Sequence, residues 1–450
     1  MKNYETYKDS GVQWVGMIPS HWTAKKMRYA CQITDGTHFS PPTTEFGMPY
    51  ITVSNVRNDI IDIENANRIS VEDYETLVKQ GCQPQLGDVL LAKDGTVGRT
   101  AIVTNTNEYV VLSSLGILHP EDNLLSSFLK YSLDSLYLQE QMNAAMAGSA
   151  LRRITISKIN EFLILVPPIK EQSAISAYLD CKIGKIDAAI TEKEQMLEDL
   201  KAYRSSIISE TVTKGLDKNV EMKDSGIDWI GKIPQNWDVV RIKNILDYNS
   251  DSLKVGPFGS SLSGNDFKTE GYWVYNQRVV LDNNFDTNDT FISEEKYNEL
   301  NSFQVFAGDI LLTTRGTIGK VAIVPNRFYK GVLHPCLIRF RVNDSMVNKD
   351  FIKYYFNDTS LILDQVKYNS NSTTIDVIYS YTLKDLIVTL PPLRVQNEIV
   401  AHLNKKVQNI DEILKNTSSS LLDLKAYKSS IITEAVTGKV DLRDWKPNKK

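Results

Sequence analysis

The chain has 450 residues, of which 42% are hydrophobic and 24% are charged, and its formal net charge is −4. This composition is ordinary for a globular protein of about three domains, and no stretch approaches the roughly 18 uninterrupted apolar residues of a membrane span. The net negative charge argues against a protein that coats nucleic acid without sequence preference, because such binding rests on many phosphate contacts from Lys and Arg. The polar residues 1–10 do not resemble a signal peptide, so we expect a cytoplasmic protein.

An internal repeat dominates the sequence. Three blocks occur twice, and the second copies follow the first by 215, 221 and 224 residues: Lys8–Trp22 and Lys223–Trp237, Gly87–Arg99 and Gly308–Lys320, Asp199–Ile208 and Asp423–Ile432. The drifting offset predicts loops of different length within two globular heads. From Pro167 and Pro391 onward the offset stays at 224, which indicates helices, since helices resist insertions.

The first head, residues 1–165, is predicted to be a mixed α/β domain. Val89–Ala92 and Ala101–Val103 are typical of strands around a turn, in which Gly95 and Gly98 need positive φ angles. Ser126–Gln141 have helical character. The sequence therefore predicts a sheet with at least one helix against it.

A long helix follows in residues 166–222. The double proline Pro167-Pro168 marks its start, and apolar residues then recur at intervals of three and four in a coiled-coil-like stripe. The predicted stripe consists of Ile175, Leu179, Ile183, Ile186, Ile190, Leu197, Leu200 and Ile207. Lys193 interrupts it near the middle, and such a polar break can fix the register of a helix pair at some cost in stability.

The second head, residues 223–389, and a second long helix, in residues 390–450, repeat this order. Strands are predicted at Ile310–Thr313 and Val321–Val324 around Gly316 and Gly319, and a helix at Asn348–Gln365. The second stripe begins after Pro391-Pro392, with Thr417 as its polar break, and runs through Ile399, Leu403, Val407, Ile410, Leu414, Leu421, Leu424 and Ile431.

The two stripes are predicted to pack against each other, in antiparallel orientation, with a head at each end. A helix of about 43 residues is about 65 Å long, which is roughly two turns of B-DNA. The expected fold class is therefore α+β: two mixed α/β domains separated by two long antiparallel helices that form a coiled coil. The tandem repeat would give the chain an internal pseudo-two-fold.

The sequence offers no complete catalytic motif. Gly316–Lys320 lacks the spacing and the hydroxyl residue of a phosphate-binding loop, and the two double prolines lack the flanking polar and aromatic residues of a methyltransferase loop. Asp88 and Lys93 lack the second carboxylate of a nuclease site. The cysteines and histidines have no metal-ligand spacing, and we interpret Cys31, Cys82, Cys181 and Cys336 as packed thiols.

The repeated motifs resemble those of one known family. Lys-Asp-Ser-Gly-x-x-Trp-x-Gly-x-Ile-Pro-x-x-Trp, Gly-Asp-[Val/Ile]-Leu-Leu with its Gly-Thr-[Val/Ile]-Gly turn, and Pro-Pro-Ile-Lys-Glu-Gln172 before a long helix look like the specificity subunit of type I restriction-modification systems. The resemblance covers nearly the whole chain, twice and in the same order. One departure is Val395 in place of Glu171, which we interpret as a tolerated change at a surface helix start.

The resemblance implies a non-catalytic subunit that binds double-stranded DNA with a bipartite target. Each target recognition domain would read one half-site, the first domain the 5′ half and the second the 3′ half, and the helices would set the spacer. Two methyltransferase subunits using S-adenosylmethionine, and restriction subunits using ATP and Mg²⁺, would be the partners. This chain itself would hold no cofactor and no metal.

Candidate DNA contacts are polar residues in loops that differ between the heads, because Arg, Lys, Asn, Gln and hydroxyl groups contact bases and phosphates. In the first head they are Thr37, His38, Ser40, Lys93, Arg99, Arg152 and Arg153. In the second head they are Lys254, Ser260, Ser261, Asn276, Gln277, Arg278, Arg315 and Lys320. Trp14, Trp22, Trp229 and Trp237 are expected to be core or subunit-interface anchors.

Two other functions remain open at this point. The chain could be a non-catalytic coiled-coil scaffold that binds other proteins, which tight binding to one split DNA sequence would exclude. It could also be a methyltransferase or nuclease with a degenerate site, which would act on DNA without partner subunits.

Overall fold

The structure is a computed structural model that describes residues 2–57, 59–105, 108–147, 152–249, 251–258, 261–369 and 377–446. The chain divides into two compact units. Unit 1 comprises Met1–Gln195 and Ser418–Lys450, and unit 2 comprises Met196–Thr417. The division falls inside both long helices, so each helix contributes to both units. The domain limits of 165, 222 and 389 follow a different criterion and stay predictions.

Unit 1 contains the first head. Its strands are β1 (Tyr7–Asp9), β2 (Met17–Pro19), β3 (Thr23–Lys26), β4 (Cys31–Asp35), β5 (Met48–Ile51), β6 (Val56–Arg57), β7 (Ile60–Ile61), β8 (Asn67–Ile69), β9 (Val89–Ala92), β10 (Thr100–Ile102), β11 (Val110–Val111), β12 (Leu115–Pro120) and β13 (Leu163–Val166). Its helices are α1 (Val71–Lys79), α2 (Ser126–Asp134), α3 (Leu136–Met146), α4 (Ile156–Glu161) and the start of α5 (Ile169–Lys214).

Unit 2 contains the second head. Its strands are β14 (Met222–Asp224), β15 (Lys232–Pro234), β16 (Asp238–Arg241), β17 (Leu253–Val255), β18 (Tyr272–Tyr275), β19 (Phe291–Ile292), β20 (Ile310–Thr313), β21 (Val321–Ile323), β22 (Gly331–Leu333), β23 (Leu337–Phe340) and β24 (Ile387–Leu390). Its helices are α6 (Gln277–Leu281), α7 (Glu294–Glu299), α8 (Lys349–Asn357), α9 (Leu361–Asn369), α10 (Ser380–Asp385) and the start of α11 (Leu393–Val436).

The two larger sheets have the same strand order in both heads. A four-stranded antiparallel sheet runs β10-β9-β12-β4 in unit 1 and β21-β20-β23-β17 in unit 2. A three-stranded sheet runs β11-β5-β8 and β22-β18-β19, with one parallel and one antiparallel pair in each. The predicted mixed α/β heads and the tandem repeat are therefore confirmed.

The central hairpin of each head follows from its sequence. The apolar runs Val89–Ala92 and Ile310–Thr313 are buried throughout, as expected for strands that are covered on both faces. The hairpin turns have φ angles of 67° at Gly95 and 94° at Gly98, and of 64° and 79° at Gly316 and Gly319. The turn prediction is confirmed, because only glycine adopts these angles without strain.

The predicted helix at Ser126–Gln141 is wrong in one respect, because it is two helices. Ser135 adopts extended φ and ψ angles of −73° and 151° between α2 and α3, and its hydroxyl donates to the Ser132 carbonyl oxygen. Serine side chains that bond to nearby backbone compete with helix continuation. The predicted helix at Asn348–Gln365 is likewise broken between α8 and α9, where the Thr359 hydroxyl donates to the Tyr355 carbonyl oxygen.

The long helices have 46 and 44 residues and begin directly after their double prolines, as predicted. They pack antiparallel. In unit 1 the ammonium of Lys425 lies 2.8 Å from Glu194 and that of Lys428 lies 2.6 Å from Asp187. The residue numbers of the paired residues therefore increase along one helix while they decrease along the other. No helix in the described part of the chain is long and apolar enough to cross a membrane.

The predicted stripes are buried against the heads as well as against the partner helix. In unit 1, Ile175, Leu179, Ile183 and Ile186 belong to one core with head residues such as Trp22 and Phe128 and with Ile431, Ile432 and Val436 near the end of α11. Toward the middle of α5 the stripe residues Leu197 and Leu200 are only half-buried. Each head therefore covers the first turns of its own helix. The spacing of the apolar residues results from this contact as well as from the contact between the helices.

Candidate DNA interface

Three segments of unit 1 meet at one end of its four-stranded sheet, and we call them the first loop cluster: residues 35–40 after β4, residues 93–99 between β9 and β10, and residues 152–155 before α4. The Gly95 amide donates to the Arg152 carbonyl oxygen at 3.1 Å, and the Ile154 amide donates to the Lys93 carbonyl oxygen at 2.8 Å. The cluster brings together His38, Lys93, Arg152 and Arg153, which are distant in sequence.

Charged side chains link the three segments. The Lys93 side chain is 1% exposed, and its ammonium lies 3.3 Å from an Asp35 carboxylate oxygen and 3.9 Å from one of Asp94. The outer sides of these carboxylates face two further groups: His38 Nε2 is 3.1 Å from Asp35, and Arg153 Nε is 3.1 Å from Asp94. Basic and acidic side chains thus alternate from His38 to Arg153, with Lys93 buried at the centre.

The other candidates of the first head have varied surroundings. Thr37 is buried, and its hydroxyl oxygen accepts the Phe39 amide, so it shapes the loop after β4. Ser40 and Arg152 are exposed. Arg99 is exposed but lines a separate recess of about 520 Å³ with Arg57, Asp59, Asp134 and Lys428. These placements do not test contact with DNA, so the seven assignments stay predictions.

The second loop cluster comprises residues 254–258, 276–278, 314–320 and 377–378 of unit 2. Arg315 is exposed and pairs through its backbone with Val377, and the Gln277 side-chain amide donates to the Thr317 carbonyl oxygen at 3.3 Å. The Lys254 ammonium lies 4.7 Å from the centre of the Phe303 ring. The Gln277 side chain is thus bonded to the turn that carries Arg315, whereas the Lys254 side chain contacts Phe303, which lies outside the cluster.

The remaining candidates of the second head are held by local contacts. Asn276 caps α6 by accepting the Arg278 and Val279 amides. Arg278 is exposed and lies 3.4 Å from Asp289, and the Lys320 ammonium donates to the Asn357 carbonyl oxygen at 2.5 Å. Ser261 is half-buried, and Ser260 lies outside the described residues. None of these eight assignments is tested by its placement.

The two clusters share a backbone frame. Gly36 and Gly256 occupy the same place, because a Cβ atom would lie 2.3 Å from the Leu112 carbonyl oxygen in one head and 2.1 Å from that of His334 in the other. The Ile154 amide donates to the Lys93 carbonyl oxygen, as the Ile378 amide donates to that of Thr314. Backbone of this kind leaves no freedom for a side chain at the glycine.

The side chains on this shared frame differ in charge. Asp35 of unit 1 corresponds to Val255 of unit 2, and Lys93 corresponds to Thr314. In the same way, Asp94 corresponds to Arg315, and Arg153 corresponds to Val377. A buried ion pair is replaced by two uncharged residues, and a surface pair of opposite charges is replaced by a single cation. The two clusters therefore offer different chemistry at equivalent positions.

Some residues with clear roles were not identified from the sequence. Asp35 and Asp94 were not among the candidates, although they hold Lys93. Gln172 and Gln396 belong to a noted motif but had no assigned role. Gln172 donates to the Asn123 and Pro167 carbonyl oxygens and accepts the Leu125 amide, each at 2.8 Å. The sequence did contain a signal for this role, because a glutamine recurs at the same place in both copies, 224 positions apart.

The interpretation of Glu171 as a tolerant surface position is wrong. Glu171 is buried, accepts hydrogen bonds from the Tyr4 hydroxyl at 3.0 Å and from Trp22 Nε1 at 2.9 Å, and lies 2.6 Å from His21 Nε2. Burial, together with the negative charge of Glu171, raises the pKa of Tyr4 well above its ordinary value. In unit 2 the corresponding Val395 packs against the apolar core instead.

The predicted aromatic anchors divide into two groups. Trp22 and Trp237 are buried core residues, whereas Trp14 is 45% exposed and Trp229 is half-buried against Tyr368. All four cysteines are free thiols, and Cys31 and Cys82 are buried. Within the described ranges no group of three His, Cys, Asp or Glu side chains is placed to hold a metal ion.

Comparisons with known proteins agree with the repeat and the fold. The profile of the type I restriction modification DNA specificity domain matches residues 19–199 and 234–422. The type I restriction enzyme EcoKI specificity subunit of Escherichia coli (strain K12) is 23% identical over 445 residues, which cover 94% of this chain and 90% of that protein. The MjaX specificity subunit of Methanocaldococcus jannaschii is 22% identical, over 95% of this chain and 96% of that protein.

A solved structure from work on complex assembly and conformational transition of the type I R-M system has the same fold. It superposes with a TM-score of 0.70 at 17% identity and covers 94% of this chain and 99% of that chain. The family profile matches both heads and much of both long helices. This chain therefore belongs to the family of DNA-binding specificity subunits of type I restriction-modification systems.

Proposed function

We propose that this chain reads a bipartite double-stranded DNA target, with one half-site for each loop cluster. The first target recognition domain reads the 5′ half and the second reads the 3′ half. The observation that carries this proposal is the shared backbone frame with its exchanged charges. Two readers of different sequences need the same docking geometry and different side chains, which is the relation between the two clusters.

The exposed groups of each cluster have the chemistry of DNA contacts. In the first cluster His38, Arg152 and Arg153 offer donors to guanine and to phosphate oxygens. In the second cluster the exposed Arg315 offers a bidentate donor. The half-buried Asn276 and Gln277 carry amide groups of the kind that pairs with adenine, and these amides are bonded within the head in the absence of DNA. The different residue types favour two half-sites of different sequence.

We further propose that the two long helices set the number of unread base pairs between the half-sites. Their lengths of 46 and 44 residues correspond to about 65 Å at 1.5 Å per residue, or roughly two turns of B-DNA. A ruler of this kind acts on the spacer and leaves the letters of each half-site to the loop clusters.

The chemistry is proposed to reside in partner subunits. The chain directs two methyltransferase subunits and the restriction subunits to the target, and it holds no S-adenosylmethionine, ATP or Mg²⁺ of its own. The incomplete phosphate-loop and methyltransferase motifs support this division. Methylation or cleavage by the purified chain alone, supplied with these cofactors, would contradict it.

Methylation mapping by long-read sequencing tests the reading of DNA. The assembled methyltransferase should modify one sequence made of two short blocks with unread bases between them. Arg152→Ala combined with Arg153→Ala should weaken or relax the first block only. Deletion of one helical turn at Glu194–Leu197 together with Ser418–Leu421 should change the spacer and keep both blocks.

Each arm has an outcome that contradicts the proposal. If the helix deletion alters the letters of a block, the helices are not a ruler. If the arginine pair changes neither block, these residues are not readers. A wild-type complex that binds all duplexes equally would favour the alternative function, a coiled-coil scaffold for other proteins.

A further inference from the structure

Lys93 is a candidate DNA contact by residue type, but its surroundings are those of an interior group. Its side chain is 1% exposed, although lysine is rarely buried to this degree without a partner. The partners are carboxylates from two different segments, Asp35 at the end of β4 and Asp94 in the turn that follows β9. A group enclosed in this way cannot reach a base edge without leaving both of them.

The backbone of Lys93 occupies an equally central place. Its amide donates to the Ser114 carbonyl oxygen at 2.9 Å, and its carbonyl oxygen accepts the Ile154 amide at 2.8 Å. One residue thus connects the start of β12, the segment that carries Arg152 and Arg153, and, through its ammonium, the loop that carries His38. Five of the other six candidate contacts of this head lie on the segments that Lys93 joins: Thr37, His38, Ser40, Arg152 and Arg153.

We propose that Lys93 is a positioning residue for DNA reading by the first head, and that Asp35 is its obligatory partner. The buried ammonium fixes the two carboxylates, and the carboxylates in turn orient the exposed His38 and Arg153 toward the DNA. This inference rests on the proposed function, since it explains how that reading is organised. Lys93 itself then touches neither bases nor phosphates.

The second head supports the assignment of the two residues as a pair. On the shared frame both charges are absent together, because Val255 stands at the place of Asp35 and Thr314 at the place of Lys93. The Thr314 hydroxyl donates to the Cys336 carbonyl oxygen at 2.8 Å, so its hydrogen bond is made to the backbone and needs no charged partner. A buried charge without its partner is costly, which explains why the two positions change as one.

Neutralisation is the second contribution of Lys93. Asp35 and Asp94 lie beside His38 and Arg153, the exposed side chains that are proposed to contact DNA, and without Lys93 the two carboxylates would leave excess negative charge next to the DNA backbone. With Lys93 between them the local charge is balanced, and His38 and Arg153 keep their favourable interaction with DNA. Removal of the ammonium alone should therefore be worse than removal of the pair.

The test uses the assembled complex with its methyltransferase subunits and three duplexes: the mapped target, and the same target with the first or the second half-site scrambled. Lys93→Met should lower affinity for the intact target by about tenfold or more and reduce discrimination of the first half-site. The paired variant Asp35→Val/Lys93→Thr copies the second head. It should keep its melting temperature within about 3 °C but lose first-half-site discrimination about tenfold.

A matched control separates positioning from general loss of stability. Lys130 is another enclosed lysine of this head, with its ammonium 2.5 Å from Asp59 and 3.1 Å from Asp134, and it lies outside the loop cluster. Lys130→Met should lower the melting temperature and leave discrimination of both half-sites unchanged. An equal loss of discrimination in this control would overturn the proposal.

The remaining outcomes are also decisive. If Asp35→Val/Lys93→Thr discriminates the first half-site as well as wild type does, or loses discrimination of both half-sites equally, Lys93 does not position the first reader. If the wild-type complex discriminates neither half-site, the proposed function fails, and that failure is seen before any variant is made.

Discussion

The two units differ least where each head joins its helix and most where each loop cluster faces outward. Gln172 in unit 1 and Gln396 in unit 2 make the same three hydrogen bonds to backbone, and Gln141 and Gln365 both pair with the amide and carbonyl of one residue in the last strand. The loop clusters, in contrast, exchange ion pairs for uncharged residues.

This contrast shows which bonds the duplicated unit needs. Bonds from a buried side chain to backbone groups are retained in both copies, since an unpaired buried backbone group is costly whatever the neighbouring sequence is. Side-chain to side-chain pairs are free to change together. The network of Glu171 with Tyr4 and Trp22 is an example, because its counterpart in unit 2 is the apolar Val395.

The largest expected effect is at the glutamines that both units share. Gln172→Ala truncates a fully buried side chain and removes three hydrogen bonds to backbone, one of them buried and two part-buried, so we expect unit 1 to lose about 3–5 kcal/mol of unfolding free energy. Gln396→Ala should cost unit 2 the same amount. Hydrogen exchange followed by mass spectrometry separates the two units through peptides from α2 and from α8.

The exposed Gln13 provides the control for this comparison, and Gln13→Ala should change stability by less than about 0.5 kcal/mol. Clearly unequal losses of unfolding free energy for Gln172→Ala and Gln396→Ala would show that the head-to-helix contacts of the two units are not equivalent.

An intermediate effect is expected at Glu171. Glu171→Val copies unit 2 but leaves the Tyr4 hydroxyl and the Trp22 indole without their acceptor, so it should cost unit 1 about 2–3 kcal/mol. The same hydrogen-exchange measurement applies, with peptides from α8 as the internal control. A cost near zero would show that the polar network is as dispensable in unit 1 as it is in unit 2.

The same network gives unit 1 a pH dependence. The pKa of Tyr4 is raised in the folded chain, first by burial and then by Glu171, so the neutral phenol is favoured there. Its stabilising contribution is complete below the unfolded pKa of about 10 and is lost as the pH rises above it, by up to about 1.4 kcal/mol per pH unit. Tyr4→Phe should remove that part of the slope in alkaline denaturation, and an unchanged slope would contradict this assignment.

The smallest effects concern the ion pairs between the helices. Arg204 in unit 2 lies 2.5 Å from Asp358 of the head and 2.8 Å from Asp411 of α11, whereas the corresponding Lys428 in unit 1 forms its ion pair with Asp187 of α5. We expect Arg204→Ala to cost about 1 kcal/mol and Lys428→Ala about 0.5 kcal/mol, both decreasing in high salt. Equal values would indicate that the contact between Arg204 and the head contributes nothing.

The sequence predicted most of the fold because the relevant signals were local or repeated. The buried strand Val89–Ala92, the turn at Gly95 and Gly98, and the helix starts after double prolines each depend on neighbouring residues. The break at Ser135 was missed because the apolar period continues across it while the backbone does not. A serine hydroxyl that bonds to a nearby backbone carbonyl cannot be detected from the spacing of apolar residues.

The candidate site was harder to predict, because its geometry depends on contacts between distant segments. Lys93 looks like a surface cation in sequence, and only its proximity to Asp35, 58 positions earlier, makes it an interior one. Glu171 was misjudged for the same reason, since Tyr4 and Trp22 lie about 150 residues away or more. A repeat helps here, because paired changes between its copies point to residues that touch.

The backbone hydrogen bonds of Gln172 and Gln396 also bear on which sequence changes the heads can accept. Gln172 contacts the backbone of Asn123, Leu125 and Pro167, and Gln396 contacts that of Met346, Asn348 and Pro391, so the residue types at two of the three places differ. Hydrogen bonds to backbone do not depend on the side chains of the head, so this part of the junction tolerates a change of head sequence. The preceding helix position does depend on them, because Glu171 bonds to Tyr4 and Trp22 whereas Val395 packs against an apolar core.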